Sequence, residues 1–174
     1  STLDHAGMDK LRARVGFLFQ SNALYDSMTV RENLLFPMRR HLKDIAPEKA
    51  EGKILETLEH VGLAHTASMM PSELSGGMQK RIALARTLVL DPEVILYDEP
   101  TTGLDPITAR EISTLINDTQ KRYNTTSVII SHDMKCVEKT ADRIAVLLDG
   151  RCHQIDTYEN LRYSKDVETA RFFE

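Results

Sequence analysis

Short apolar runs alternate with amphipathic segments through the second half of the chain. Three runs are rich in β-branched and other apolar residues, as buried strands are: "VILYD" (94–98), "TSVIIS" (126–131) and "RIAVLLDG" (143–150). Helical spacing runs from Pro106 to about Arg122 behind a capping Asp105, and a short helix is expected after His132. This β-α-β-α-β order predicts an α/β fold with a parallel sheet covered on both faces.

The first half is predicted to be mainly helical. A short strand, "RVGFLFQ" (14–20), stops at Gln20. From Thr29 apolar residues recur every four positions, although Pro37 should end or kink that helix. A second helix is expected over 47–63.

A third helix follows the Gly-rich turn in "SELSGGMQKRIALARTLVLDPE" (72–93). Its apolar stripe is predicted to contain Met78, Ile82, Ala85 and Val89. The cationic side chains of the helix should lie off that stripe: Lys80, Arg81 and Arg86. After the third predicted strand of the second half, Gly150 is predicted to make a tight turn into "RCHQID" (151–156), and two short helices follow.

Composition narrows the classes of function. With 174 residues and 41% hydrophobic content, the chain can bury one sizeable core. Its 26 acidic and 22 basic residues leave a net charge of -4, which provides no basic field for nucleic acid. Cys136 and Cys152 match no metal-binding spacing, which favours a reducing cytosol. Its apolar runs are far shorter than the roughly 20 residues that span a bilayer, so we expect a soluble chain.

Polar side chains follow three of the predicted strands: Gln20, then Asp98 with Glu99, then Ser131–Asp133. In open parallel sheets ligands bind beyond the carboxyl ends of the strands. An apolar run ending in two acids resembles a Walker B motif, in which the first carboxylate holds Mg²⁺ and the second orients or deprotonates the attacking water. The alternative is that the two acids begin a polar loop or cap the next element.

The stretch "LSGG" (74–77) directly precedes an amphipathic helix. Ser75 could cap that helix, and the N–H groups after it could face a phosphate. The alternative is an ordinary flexible linker.

Three stretches together resemble the ATPase subunit of ABC (ATP-binding cassette) transporters: "FQSNALYDSMTVRENL" (19–34), "LSGGMQKRIALARTLVLDPEVILYDEPTTGLDPIT" (74–108) and "IISHDM" (129–134). The resemblance covers essentially the whole chain. It implies a P-loop NTPase (ABC ATPase) fold, with a mostly parallel sheet, flanking helices and a helical subdomain. ATP and Mg²⁺ are the implied cofactors.

The resemblance also implies residue roles. Gln20 would be the Q-loop glutamine that touches Mg²⁺ and couples to the membrane subunits. Asp98 would be the metal ligand and Glu99 the catalytic carboxylate of Walker B. His132 would be the catalytic switch histidine that senses the γ-phosphate, although a histidine before Asp133 is also an ordinary turn.

By the same resemblance, a signature segment grips ATP held by the opposite subunit: Leu74, Ser75, Gly76 and Gly77. Asp105 would close the D-loop that crosses the dimer interface, and it is equally an ordinary helix cap.

Two features depart from the family pattern. Met78 stands where the signature has Gln, which removes a side-chain polar contact. No G-x-x-x-x-G-K-[ST] phosphate loop occurs, and Gly52-Lys53 lies within a predicted helix. The family's phosphate loop lies well upstream of the glutamine, so residues 1–19 leave no room for it. We therefore expect a fragment whose fold lacks its N-terminal P-loop part and which is inactive alone.

Four regions are expected. Residues 1–27 would contain the end of a β subdomain, a core strand and the Q-loop, and 28–90 the helical subdomain with the signature. Residues 91–148 would form the α/β core with Walker B, D-loop and switch histidine, and 149–174 a hairpin and short helices.

The stretch 19–41 ("FQSNALYDSMTVRENLLFPMRRH"), Met78 and "ARFFE" (170–174) most resemble the MlaF-type ATPases of bacterial phospholipid transporters that work with MCE-domain proteins. That resemblance implies lipid transport at the cytoplasmic face of the inner membrane. The implied partners are a second ATPase subunit, a membrane permease and an MCE-domain substrate-binding protein, without nucleic acid. The helical subdomain (28–90) would dock the permease, with Tyr25 and Leu35 near Gln20 as candidate contacts.

Other functions are weighed against this one. A soluble ABC ATPase of DNA repair or translation would carry long insertions, zinc modules or basic patches, which this sequence lacks. A non-catalytic interaction module would have no need for both Walker B acids and His132. A phosphohydrolase using His132 and Asp133 as metal ligands would need further histidines at partner spacing.

Overall fold

The computed structural model describes residues 4–42 and 44–173. The strands are β1 Val15–Leu18, β2 Val94–Asp98, β3 Thr126–Ile130, β4 Ile144–Leu148 and β5 Arg151–Asp156. The helices are α1 His5–Arg14, α2 Val30–His41, α3 Pro47–His60, α4 Gly76–Leu88, α5 Pro106–Tyr123, α6 Met134–Thr140, α7 Tyr158–Arg162 and α8 Val167–Ala170. No helix in these ranges is long and apolar enough to cross a bilayer.

Three strands form a parallel sheet in the order β1-β2-β3. The register pairs Leu18 with Tyr97 and Asp98 with Ile130, so the carboxyl ends of all three strands meet at one edge. Helices α4 and α5 cover one face, where Ile95 and Tyr97 are buried. The predicted α/β architecture is confirmed.

The fourth strand was predicted to join this parallel sheet, and that prediction is wrong. Strand β4 instead pairs antiparallel with β5 in a separate two-stranded sheet. The two strands are joined by Asp149 and Gly150, both at positive φ (49° and 73°), a backbone suited to a tight hairpin turn. A local hairpin therefore accounts for the pairing of β4.

The expectation that both faces of the parallel sheet are covered is also wrong for the described residues. On the face opposite α4 and α5, Phe17, Val128 and Ile130 are 40%, 51% and 62% exposed. The alternation of side chains along each strand places these residues on one surface. Within the described residues, these apolar strand positions are therefore exposed although the sequence pattern predicts their burial.

The helical region between β1 and β2 has its own core. Apolar side chains of α2, α3 and α4 fill it, among them Val30, Leu34, Met38, Ile54, Leu58 and Ile82. Helix α2 begins with a capping box, in which Thr29 and Glu32 bond each other's backbone N–H groups. The helix continues through Pro37 to His41, so Pro37 does not end it, because burial of Leu34 and Met38 outweighs one lost backbone hydrogen bond.

Helix α4 lies between the two cores. Ile82 and Ala85 belong to the helical core, whereas Ala83, Leu84 and Leu88 pack under the sheet. Because so much of the helix circumference is buried, Lys80 is only 2% exposed. The sequence pattern predicts only that Lys80 lies off the apolar stripe, and it does not indicate that the side chain is buried.

Residues 5–14 form helix α1 where the sequence analysis expected the end of a β subdomain. Asp4 caps it, accepting a hydrogen bond from Gly7 N at 2.7 Å. At its far end Arg14 pairs with Glu93 just before β2, with Nη2 and Oε2 2.6 Å apart. Helix α1 thus leads directly into β1.

Candidate functional site

The polar groups predicted at the strand ends lie at one edge of the sheet. Asp98 is the last residue of β2, and Glu99 N donates to Ile130 O at 2.9 Å, which continues the β2–β3 ladder by one step. His132 follows β3, and Gln20 follows β1 after one intervening residue. The structure thus brings together the three predicted groups.

Glu99 is held at both carboxylate oxygens. His132 Nδ1 lies 2.8 Å from Glu99 Oε1, and Thr102 Oγ1 donates to Oε2 at 3.1 Å. The Glu99 backbone has φ 47°, a left-handed conformation that is strained for a residue with a side chain. Since the chain leaves the strand in this conformation, Asp98 and Glu99 can serve different tasks.

The His132 ring is a titratable partner of Glu99. The hydrogen bond to Glu99, and then the charge of that carboxylate, raise the pKa of His132 above its usual value. The His132 side chain is 77% exposed, whereas the Glu99 side chain is 17% exposed. The histidine can therefore meet a ligand from solvent while the carboxylate stays oriented behind it.

A second hydrogen bond fixes the segment that carries His132. Thr101 is buried, and its Oγ1 donates to Asp133 Oδ2 at 2.9 Å. Asp133 also caps α6, accepting from Lys135 N at 3.0 Å. The turn after Glu99 and the turn after β3 are thereby joined directly.

A cavity of about 520 Å³ opens at this edge and is lined by Phe19, Gln20, Ser21, Asp98 and Thr102. No group of three or more His, Cys, Asp or Glu side chains within 4–42 and 44–173 could hold a metal ion. One carboxylate and neighbouring amide and hydroxyl oxygens nevertheless fit Mg²⁺, which takes one or two carboxylates and completes its shell with phosphates and water.

The signature segment begins α4. Leu74 is buried, and Ser75 caps the helix by accepting from Met78 N at 3.3 Å. Gly77 lies against α5, where an added Cβ would come 2.5 Å from Thr108 Cγ2. At Gly76 the nearest atom to an added Cβ would be Leu104 Cδ2 at 3.9 Å. Close packing therefore requires glycine at position 77.

Asp105 caps α5 in this structure. It accepts from Ile107 N at 3.0 Å and from Thr108 N at 3.1 Å. The Thr108 hydroxyl also donates to it, and these bonds lower the pKa of Asp105. The capping role weighed in the sequence analysis is therefore present.

A groove of about 300 Å³ lies between β1, the loop after it and α2. Its lining includes Phe17, Phe19, Tyr25, Phe36 and Arg40. The Tyr25 ring lies 4.9 Å from the Phe36 ring, centroid to centroid. Of the two candidate contact residues, Tyr25 lines the groove, whereas Leu35 packs against the helical core.

Four residues that support the site were not predicted as site residues from the sequence: Thr101, Thr102, Lys80 and Arg86. The two threonines follow the acids immediately, and hydroxyls so close to a carboxylate are a usable signal. The two cations gave no such signal, because helical spacing indicates only that they lie off the apolar stripe.

A sequence profile of the ABC transporter family matches residues 1–102. The chain belongs to the ABC transporter family. Among curated relatives, the intermembrane phospholipid transport ATP-binding protein MlaF of Haemophilus influenzae is 41% identical over 171 residues, covering 98% of this chain and 64% of that protein. The methionine import ATP-binding protein MetN of Caulobacter vibrioides is 38% identical over 173 residues, covering 99% of this chain and 52% of that protein. The chain thus spans less than two thirds of these ABC relatives.

Solved ABC cassettes share the fold. The dimeric cassette MJ0796 bound to ADP and Pi gives a TM-score of 0.78 at 31% identity, over 90% of this chain and 68% of that one. CbiO1 of Clostridium perfringens gives a TM-score of 0.83 at 30% identity, over 94% of this chain and 65% of that one. The predicted ABC ATPase fold class is confirmed.

Proposed function

We propose that this chain supplies the Walker B, signature and switch-histidine part of an ABC-type ATPase that drives transport. The observation that carries the proposal is the contact of Glu99 with His132 at 2.8 Å, beside a cavity lined by Gln20 and Asp98. In this proposal Glu99 is the general base and His132 its orienting partner, at the edge where the parallel strands end. The family membership and the ADP and Pi named for a structural neighbour support ATP as the ligand.

The residues divide the chemistry between them. Glu99 orients the attacking water and receives its proton, and Thr102 and His132 keep its two oxygens in place before the reaction. His132, whose raised pKa favours the protonated form, offers positive charge to the γ-phosphate. Asp98 and Gln20 would hold Mg²⁺, which when bound neutralises phosphate charge.

The signature segment acts on a second copy of the chain. Leu74–Gly77 are not among the residues lining the cavity beside Asp98, as the structure describes it. Ser75 caps α4, and Gly76 and Gly77 begin it, so their N–H groups have no partner within the helix and suit phosphate oxygens. Head-to-tail pairing of two subunits would bring them to the other copy's ATP, and Asp105 would lie at the junction. The structural neighbour named as dimeric supports this arrangement.

Transport coupling would occur at the groove beside the Gln20 loop, which we define as residues 19–25. The exposed Phe19 and Tyr25, with Arg40, offer aromatic and cationic contacts for a helix of a membrane permease. The ATPase would then be a peripheral subunit at the cytoplasmic face of the inner membrane. We assign phospholipid as the cargo class because an MlaF relative reaches 41% identity. An MCE-domain protein would be a further partner.

The proposal is tested with a chimera in which this chain replaces the segment of Haemophilus influenzae MlaF that it matches. The chimera should release phosphate from ATP in a Mg²⁺-dependent manner. The 174-residue chain alone should release none above background, since its sequence has no phosphate loop. Absence of hydrolysis by a folded chimera that binds ATP would contradict the proposed function, and robust hydrolysis by the chain alone would contradict the expected inactivity.

Coupling to a permease has its own test. The chimera is assembled with the Haemophilus permease, and phosphate release is compared between proteoliposomes with and without the permease. Permease-dependent stimulation supports the proposed coupling. An equal rate with and without permease contradicts it and leaves an uncoupled ATPase.

A further inference from the structure

Lys80 is a buried cation in the second turn of α4, the signature helix that begins at the signature segment. It is 2% exposed, and its Nζ donates to the backbone carbonyl of Gln20 at 2.7 Å. Burial lowers the pKa of Lys80, and the charge of Asp98 opposes that shift. Removing an ammonium from water is costly, so an apolar side chain would serve a purely structural purpose better.

The carbonyl that Lys80 contacts belongs to a tight turn. Asn22 N donates to Phe19 O at 3.1 Å, which closes a turn with Gln20 and Ser21 at its centre. Asn22 and Ala23 then follow at φ 64° and 50°. Two successive left-handed residues are strained, and the surrounding contacts must hold them.

Arg86, on the same helix, supplies further contacts to this loop. Its Nη1 donates to Ala23 O at 2.6 Å and its Nη2 to Asn22 O at 3.2 Å. The guanidinium also lies 5.8 Å from the centre of the Tyr25 ring. Two cations of α4 are therefore directed at backbone carbonyls of one loop.

We propose that Lys80 is a positioning residue for Gln20, with Arg86 holding the strained residues that follow. The two side chains make the Gln20 loop and the signature helix one rigid body. The functional significance of this rigid body rests on the proposed function. Because Ser75 at the start of α4 and Gln20 belong to the same body, they are displaced together. A ligand at the helix start would thereby move the glutamine and the groove beside Tyr25.

The test uses the 174-residue chain without nucleotide, so its outcome is independent of ATP hydrolysis. Lys80→Met keeps the length of the side chain and removes the charge. Amide exchange at Asn22 and the carbonyl ¹³C shift of Gln20 are measured by NMR. Lys53→Met is the matched control, since Lys53 lies on α3 and pairs with Asp91.

Loss of a charge-assisted hydrogen bond should speed exchange at Asn22 by at least about tenfold. The Gln20 carbonyl resonance should move upfield, while Lys53→Met leaves both unchanged. Unchanged exchange and an unchanged Gln20 resonance in folded Lys80→Met would overturn the proposal.

If Lys80→Met fails to fold, the proposal is tested on the unsubstituted chain. Its Lys80 ammonium protons should be visible at neutral pH in the cold, because burial and the bond to Gln20 slow their exchange with water. Ammonium protons that exchange as fast as those of an exposed lysine would overturn the proposal.

Discussion

The two signature glycines should differ sharply in their tolerance of a methyl group. At position 77 an added Cβ would lie 2.5 Å from Thr108 Cγ2, whereas at position 76 the nearest atom would be 3.9 Å away. Thr108 cannot yield easily, because its N–H and hydroxyl both donate to Asp105. Helix propensity favours alanine over glycine by up to about 1 kcal/mol at either position. The difference in stability between Gly76→Ala and Gly77→Ala therefore measures the steric cost of the methyl group at position 77.

Overpacking of this kind costs about 1–3 kcal/mol. Gly77→Ala should consequently be less stable than Gly76→Ala by that amount, which is a difference in Tm of about 2–12 °C for a chain of this size. Thermal unfolding followed by circular dichroism measures it. Thr108→Ser removes the clashing methyl and keeps the hydroxyl, so it should recover most of the loss in a Gly77→Ala background. Equal stability of the two alanine variants would refute the packing argument.

Three further predictions concern the surroundings of the site. The pKa of His132, measured by NMR, should fall toward its usual value in Glu99→Gln. Because the pKa of His132 is raised in the folded state, the stabilisation from its pair with Glu99 is complete below pH ~6.5. That stabilisation is lost as the pH rises through the folded-state pKa. An unchanged His132 pKa would count against the pairing. Asn33→Ala should cost about 2–3 kcal/mol in urea unfolding, because the buried amide makes four hydrogen bonds to backbone; a loss below about 0.5 kcal/mol would contradict this. Thr101→Val should speed amide exchange in α6 by freeing Asp133, and unchanged protection there would contradict the link.

Most elements could be predicted because their signals are local. Strand β2 coincides with "VILYD" (94–98), and α5 begins at Pro106 behind its Asp105 cap, as the apolar pattern and capping chemistry indicate. The meeting of the polar strand ends followed from parallel topology, which places all carboxyl ends at one edge. The pairing of β4 was predicted wrongly from its apolar run, although Asp149-Gly150 before "RCHQID" is a local signal of a hairpin.

The support of the site could be predicted only in part. Periodicity assumes one buried face, whereas α4 packs against two cores, so the burial of Lys80 was not predicted. The continuation of α2 through Pro37 likewise depends on tertiary packing that outweighs local propensity. Hydrogen bonds such as that of Thr101 to Asp133 join residues distant in sequence, and a single sequence carries no trace of them.

The role of Glu99 is tested most directly by the turnover number of the MlaF chimera for Mg·ATP. Glu99→Gln should leave ATP binding intact and lower turnover by at least ~100-fold, a loss in keeping with general-base catalysis. Glu138→Gln, at an exposed position of α6, is the matched control and should retain full turnover. Near-normal turnover in Glu99→Gln would contradict the assignment of Glu99 as the residue that handles the attacking water.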